Sequence, residues 1–226
     1  MLKENIQNVL NETSKNNKYG EKITVVGASK TMPYDIINNA VSFGLKIFAE
    51  NKVNEFLDKK NLVIGASWHF IGHLQSNKAK HIVGNVILIH SVDSIKLAEV
   101  INKLALAKGV IQDVLLEVNV SKEESKSGFY LEELSDSLEY ITKLENVNVK
   151  GLMTMLPLNS SEEEQIRLFT LMRKTYDDYK EKYGFCHLSM GMSNDYKLAI
   201  DCGSNMIRLG TKIFGKRNYG GNNGTI

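Results

Sequence analysis

Lys30 follows the apolar run Val25-Val26-Gly27-Ala28, one residue past Ser29, where its stem would be packed and its amine partly desolvated. Burial disfavours the ammonium form, so such an amine becomes nucleophilic toward an aldehyde. Pairing with a carboxylate such as Glu50 or Glu117 is the plainer use of the same residue. Further on, Ser193-Asn194 and Gly210-Thr211 are polar steps after apolar runs. Ser and Asn are favoured N-cap residues, and a helix start offers unpaired N–H groups to an anion. Gly210 would let backbone N–H groups approach closely, and Thr211 adds a hydroxyl. Each step alone reads as a capped helix or a glycine turn; together they suit a phosphate. Arg208 precedes Gly210 by two residues and so shares its facing on an extended chain. It is either half of an ion pair or, beside a pyridine-type ring, a donor to the ring nitrogen that does not give up its proton.

The five histidines, His69, His73, His81, His90 and His187, lack the pattern of a metal site. His69 and His73 are four apart, but on a strand-to-loop stretch, where that spacing does not converge. Met153, Met155, Met190 and Met192 alternate and read as core.

These residues need a scaffold that brings distant chain ends together. Short apolar or β-branched runs near 22–29, 46–50, 67–72, 86–91, 113–120, 148–155, 187–192 and 206–209 alternate with stretches of helical spacing, among them 75–83 and 194–202. Eight strands alternating with helices predict an α/β fold, a single (β/α)8 TIM-type barrel. An open doubly wound sheet is the alternative, but no strand leads into a G-x-G-x-x-G turn. In a barrel the chemistry sits where strands end, and phosphate commonly binds after strands seven and eight. Residues 2–17 predict an extra N-terminal helix on the barrel's outside or base. The single domain is expected to span residues 1–215, and the Gly- and Asn-rich residues 216–226 to form a disordered tail.

With 226 residues, 42% of them hydrophobic, the chain is long enough to bury a substantial core. Its net charge of +2 comes from 28 basic and 26 acidic residues that are interleaved, which demands neither nucleic acid nor membrane as a partner. No apolar run approaches a membrane span, and the start is amphipathic rather than a secretory leader. Two cysteines make no disulfide framework, so a soluble protein in a reducing cytoplasm is expected.

The segments VGASKTMP, AENKVNE, WHFIGHLQSNK, EVNVSKEESKSG, KGLMTM, LSMGMSNDYKLAI and IRLGTKIFG, in this order over roughly residues 22–215, resemble those of the pyridoxal phosphate homeostasis proteins. The resemblance implies an alanine-racemase-like barrel and pyridoxal 5′-phosphate as cofactor, held as a Schiff base on Lys30 of the SK motif. It further assigns Ser193, Gly210 and Thr211 to the phosphate, Arg208 to the ring nitrogen and Asn51 to the cofactor's surroundings. Lys126 of SKSG matches a second family lysine, a possible secondary contact, although it reads equally well as a solvated loop residue. The family's GENYVQE is AENKVNE here, with Ala49, Lys52 and Asn54 as departures.

Two functions compete: a protein that sequesters the cofactor and supplies it to apo-enzymes, and a pyridoxal-phosphate-dependent amino-acid racemase. Racemisation needs a second base opposite the lysine, which alanine racemases take from a tyrosine of the additional C-terminal domain of the partner subunit. The 11 residues after Gly215 are too few for that domain, and Tyr219 is a poor substitute, so sequestration without substantial turnover is the expectation.

Overall fold

The strand-period runs all become strands: β1 (Thr24–Ala28), β2 (Ile47–Glu50), β3 (Ser67–Phe70), β4 (Leu88–Val92), β5 (Gln112–Glu117), β6 (Val147–Met153), β7 (His187–Ser189) and β8 (Met206–Leu209). In the computed structural model, which describes residues 1–215, they form one parallel sheet in chain order. β1 pairs with β8, Val26 lying beside Arg208, and this pairing closes the barrel. The alternation is that of repeated βα units, and the result is a (β/α)8 barrel of the TIM type. Residues 216–226, expected to form a disordered tail, lie outside the described residues. No helix among the described residues is long and apolar enough to cross a membrane.

Side chains alternate between the barrel's interior and the helical layer. Val26, Ala49, Leu88, Leu115, Met153 and Met206 meet inside as a buried apolar plug. Their neighbours Val25, Phe48, Ile89, Val114, Leu152 and Ile207 point outward into the larger core under the helices. Two residues further along the same strands, toward their C-terminal ends, come Ala28, Asn51, His90, Glu117, Met155 and Arg208. Strand periodicity alone therefore sets a ring with polar members directly above an apolar floor.

The helices are α1 (Leu2–Glu12), α2 (Tyr34–Ser42), α3 (Val53–Lys59), α4 (Ile95–Lys108), α5 (Leu131–Ile141), α6 (Glu162–Tyr183), α7 (Tyr196–Asp201) and α8 (Thr211–Phe214). α4 and α6 begin at Ser94 and Ser161, whose hydroxyls accept from the N–H groups of Leu97 and Glu164, and end at Gly109 and Gly184 in the left-handed conformation. Both ends follow the local capping rules. α1 buries Ile6 and Val9, and Asn5 Nδ2 donates to Ile213 O of α8, so the extra N-terminal helix sits on the barrel's outside.

Two expectations change. The helix expected over 75–83 is only a 3-10 turn, Ala79–His81; Ala79, Ile82 and Val83 are buried, whereas Gln75, Ser76, Asn77 and Lys78 are all exposed and give the first half of the segment no face to bury. Ser193 and Asn194 do not cap α7, which starts later with Asp195 at its N-cap.

Candidate functional site

A cleft of about 610 Å³ opens at the C-terminal mouth of the barrel, and Lys30, Asn51, Ser193, Arg208, Gly210 and Thr211 all line it. They come from the ends of β1, β2, β7 and β8. His73, Met155, Gln165 and Met192 complete part of its wall.

Lys30 is held from both sides. Ser29, fully buried, donates its hydroxyl to Glu50 Oε1 at 2.7 Å and its carbonyl accepts from Lys59 Nζ at 3.1 Å. Lys59 Nζ also lies 2.9 Å from Glu50 Oε1 and 3.3 Å from Glu55 Oε2. On the other side Thr31 adopts φ 66°, left-handed backbone that a β-branched residue rarely takes. Its N–H donates to Glu55 Oε2 at 2.6 Å, which ties the strained turn to α3. Burial raises the Glu50 carboxyl, opposed by Lys59; burial also acts on Glu55, but the Thr31 N–H and Lys59 outweigh it and hold that carboxyl low. Glu50, one of the carboxylates that could have paired with Lys30, is thus taken by Lys59.

Arg208 forms part of the cleft floor. Nη1 donates to Ser189 Oγ at 2.6 Å and Nη2 to Thr154 O at 2.9 Å. Burial lowers its pKa to about 10, opposed by Glu117 and Asp195, so the guanidinium keeps its charge at neutral pH. Glu117 is pushed up to about 7, by burial and then by Asp93, against the pull of Arg208 and Lys126.

At the ends of β7 and β8, Ser193 Oγ accepts from Gly210 N at 3.1 Å and Lys212 N at 3.2 Å. Two backbone donors from the turn after β8 therefore already converge on one oxygen. Gly191, φ 98°, lets the segment after β7 pack closely against α7, since a Cβ there would stand 2.6 Å from that of Ala199. Among the described residues Asn51 Oδ1 is buried without a hydrogen-bond partner, a state that costs on the order of 1–3 kcal/mol unless a bound polar group meets it. Gly72 is equally constrained, because a Cβ there would lie 2.1 Å from Asn51 O. An amine, a fixed cationic donor, a cluster of anion-directed donors and an orphaned polar atom in one cleft fit a phosphorylated heteroaromatic aldehyde.

Lys126 lies apart, in the loop after β5, its Nζ 3.9 Å from Glu123 Oε2, and it is not among the lining residues. Its charge nevertheless reaches Glu117. Of the departures, Ala49 belongs to the apolar plug, while Lys52 and Asn54 are exposed beside and on α3, so none lines the cleft. Among the described residues no group of three or more His, Cys, Asp or Glu side chains could hold a metal.

Sequence reasoning missed Lys59 as the clamp on Glu50, and it weighed His69 and His90 only as metal ligands. Strand parity was the available signal for the histidines, because His90 stands two residues past Leu88 of the plug. Met153 is core as expected, whereas Met155 and Met192 line the cleft.

The sequence matches the family of the alanine racemase N-terminal domain over residues 2–218. The pyridoxal phosphate homeostasis protein of Aquifex aeolicus is 44% identical over 86% of this chain and 87% of its own. The structure is similar to that of PipY from Synechococcus elongatus, solved with PLP bound, at 30% identity and a TM-score of 0.82, covering 93% of this chain and all of that one. An alanine racemase of Clostridium difficile shares the fold at 20% identity and a TM-score of 0.74, over 95% of this chain and 58% of the racemase.

Proposed function

This chain is a member of the pyridoxal phosphate homeostasis protein family, and on that premise we propose that it binds pyridoxal 5′-phosphate in the cleft, keeps the reactive aldehyde sequestered and supplies it to apo-enzymes. The observation that carries this reading is the convergence of Lys30, Arg208, Ser193, Gly210 and Thr211 on a single cleft. When bound, the cofactor supplies an aldehyde that condenses with an amine and a ring that can withdraw electrons.

The chain's own residues divide the work. Lys30 offers the amine, held at the cleft by the Glu50–Lys59–Glu55 clamp on its flanking residues. Ser193 and Thr211 would offer hydroxyls to the phosphate, and Gly210 its backbone N–H, which it shares with Ser193 Oγ. Asn51 offers its carboxamide to a polar substituent. Arg208 offers an N–H to the ring nitrogen and keeps its proton, which leaves that nitrogen unprotonated and the ring a poorer electron sink. Lys126, which the family resemblance offers as a secondary contact, stands in the loop after β5 outside the cleft lining, where it reads equally well as a solvated loop residue.

Sequestration rather than turnover is favoured by the proton traffic that racemisation needs: removal from one face of the substrate and return on the other. Lys30 can serve one face. Among the described residues no tyrosine lines the cleft, and the imidazole that does, His73, stands exposed at the rim with its Nδ1 2.9 Å from Asp93 Oδ2. General acid–base help is worth roughly 10²–10⁴-fold, so a cleft whose candidate for the second group is this rim histidine would racemise slowly. Both cysteines are free, Cys186 exposed and Cys202 buried, which supports placing this function in the reducing cytoplasm.

The test is to follow amino-acid enantiomers and cofactor transfer to an apo-enzyme on one cofactor-loaded preparation. The reading expects transfer and negligible racemisation. Turnover near the order of 10 s⁻¹, abolished in Lys30→Ala, would make the protein a racemase instead.

A further inference from the structure

Behind Arg208 the barrel interior carries polar side chains that cofactor binding leaves unused. Ser189 Oγ, which accepts from Arg208 Nη1, lies 3.0 Å from His90 Nδ1, and His90 Nε2 lies 2.9 Å from His69 Nδ1. The four residues stand on β8, β7, β4 and β3, with His90 and Ser189 fully buried and His69 and Arg208 nearly so. A second anchor, Thr154 O, leaves the guanidinium little freedom to rotate.

Hydrogen-bond bookkeeping gives this chain a direction. A guanidinium only donates, so Ser189 Oγ is the acceptor in its bond with Arg208. Among the described residues the Ser189 hydroxyl has one other partner, His90 Nδ1. Were that nitrogen to carry the proton, a fully buried O–H would be left without an acceptor, which buried hydroxyls avoid. The hydroxyl therefore donates to His90 Nδ1, which places the His90 proton on Nε2. That Nε2–H donates to His69 Nδ1, and the same logic places the His69 proton on its Nε2. A run of single donors and acceptors of this kind requires neutral rings. Burial supplies them, lowering His69 to about 3 and His90 well below its usual value.

We infer that Ser189, His90 and His69 are positioning residues, a one-way hydrogen-bond chain across the barrel that fixes how Arg208 presents its N–H donors to the cofactor's ring nitrogen. The role toward the ring rests on the function proposed above, whereas the direction of the chain stands without it. Arg208 cannot swing toward a carboxylate such as Glu117 without leaving Ser189 unmet, so its donor geometry is set by the protein's own contacts.

Two measurements test this. On wild-type protein labelled with ¹⁵N-histidine, ring-nitrogen NMR should show protonated Nε2 and unprotonated Nδ1 on both His69 and His90, unchanged between about pH 5 and 8, where an ordinary histidine titrates. A protonated Nδ1 on His90, or titration of either ring in that range, overturns the chain and needs no variant to observe. The second compares pyridoxal 5′-phosphate affinity and the absorption maximum of the bound cofactor in Ser189→Ala and Arg208→Gln. Ser189→Ala should weaken affinity about two- to tenfold, because the freed guanidinium must then be immobilised on binding, and move the absorption maximum in the same direction as Arg208→Gln. If Arg208→Gln changes both quantities and Ser189→Ala neither, the positioning role fails alone. If Arg208→Gln changes neither, the assignment of Arg208 to the ring fails, and the positioning role with it.

Discussion

Replacing Ser193 by Ala together with Thr211 by Val removes the two hydroxyls of the proposed phosphate grip while leaving its backbone donors in place. Each hydrogen bond to a charged group is worth roughly 1.5–3 kcal/mol, so the pair would cost about 3–6 kcal/mol if nothing else changed. The structure supplies an offset. Ser193 Oγ accepts from Gly210 N and Lys212 N, at 3.1 and 3.2 Å. In the variant those N–H groups lose their acceptor until a phosphate provides one, which raises the free energy of the apo state by about 1–2 kcal/mol. The net loss is then roughly 2–4 kcal/mol, a weakening of about 30- to 1000-fold. The apo variant should also melt about 2–8 °C lower. Absorbance titration of apo-protein with pyridoxal 5′-phosphate reads the affinity, and circular dichroism checks the fold. A folded double variant whose dissociation constant stays within about twofold of wild type would refute the phosphate assignment.

Further outcomes follow from the groups around the site. Lys59→Met leaves Glu50, fully buried, without its cation, and loss of one partner of a buried pair should cost about 3–5 kcal/mol in denaturant unfolding; a loss under about 1 kcal/mol would show that the clamp on Lys30 is not what holds its turn. Glu117 has a folded pKa near 7 against an ordinary 4.5, so the unfolded chain ionises first and this residue makes stability fall as pH rises from about 4.5 to 7. Glu117→Gln should therefore gain stability over wild type progressively across that window, by up to about 3 kcal/mol, as read from unfolding curves at several pH values; a pH-independent difference between the two proteins would contradict the raised pKa.

Much of this architecture is visible in the sequence because barrels are built from local rules. The period-two runs mark all the strands, and Ser94 with Gly109, or Ser161 with Gly184, mark whole helices. Lys30, Arg208 and Gly210 are legible as residues of the candidate site because a strand-end position in a barrel is already a place at its mouth, where the cleft opens. What escapes is whatever depends on a partner far along the chain. Ser193 looks like a helix cap because a serine before a helical run has that local signature, and only the fold reveals that its oxygen serves N–H groups of the turn after β8. Lys59 looks like one more charge on α3, yet it sits between Glu50 and the carbonyl of Ser29. His69 and His90, 21 positions apart, become partners only when β3 and β4 pair.

The covalent link to Lys30 is the central claim, and borohydride reduction of the cofactor-loaded protein followed by peptide mass mapping tests it most directly. Reduction converts a carbon–nitrogen double bond between cofactor and lysine into a stable secondary amine. Lys30 should then carry the added mass of the reduced cofactor, and the visible absorption band of the bound cofactor should disappear in step. An adduct confined to another lysine, such as Lys126, or no adduct on protein that shows that band, would contradict the account.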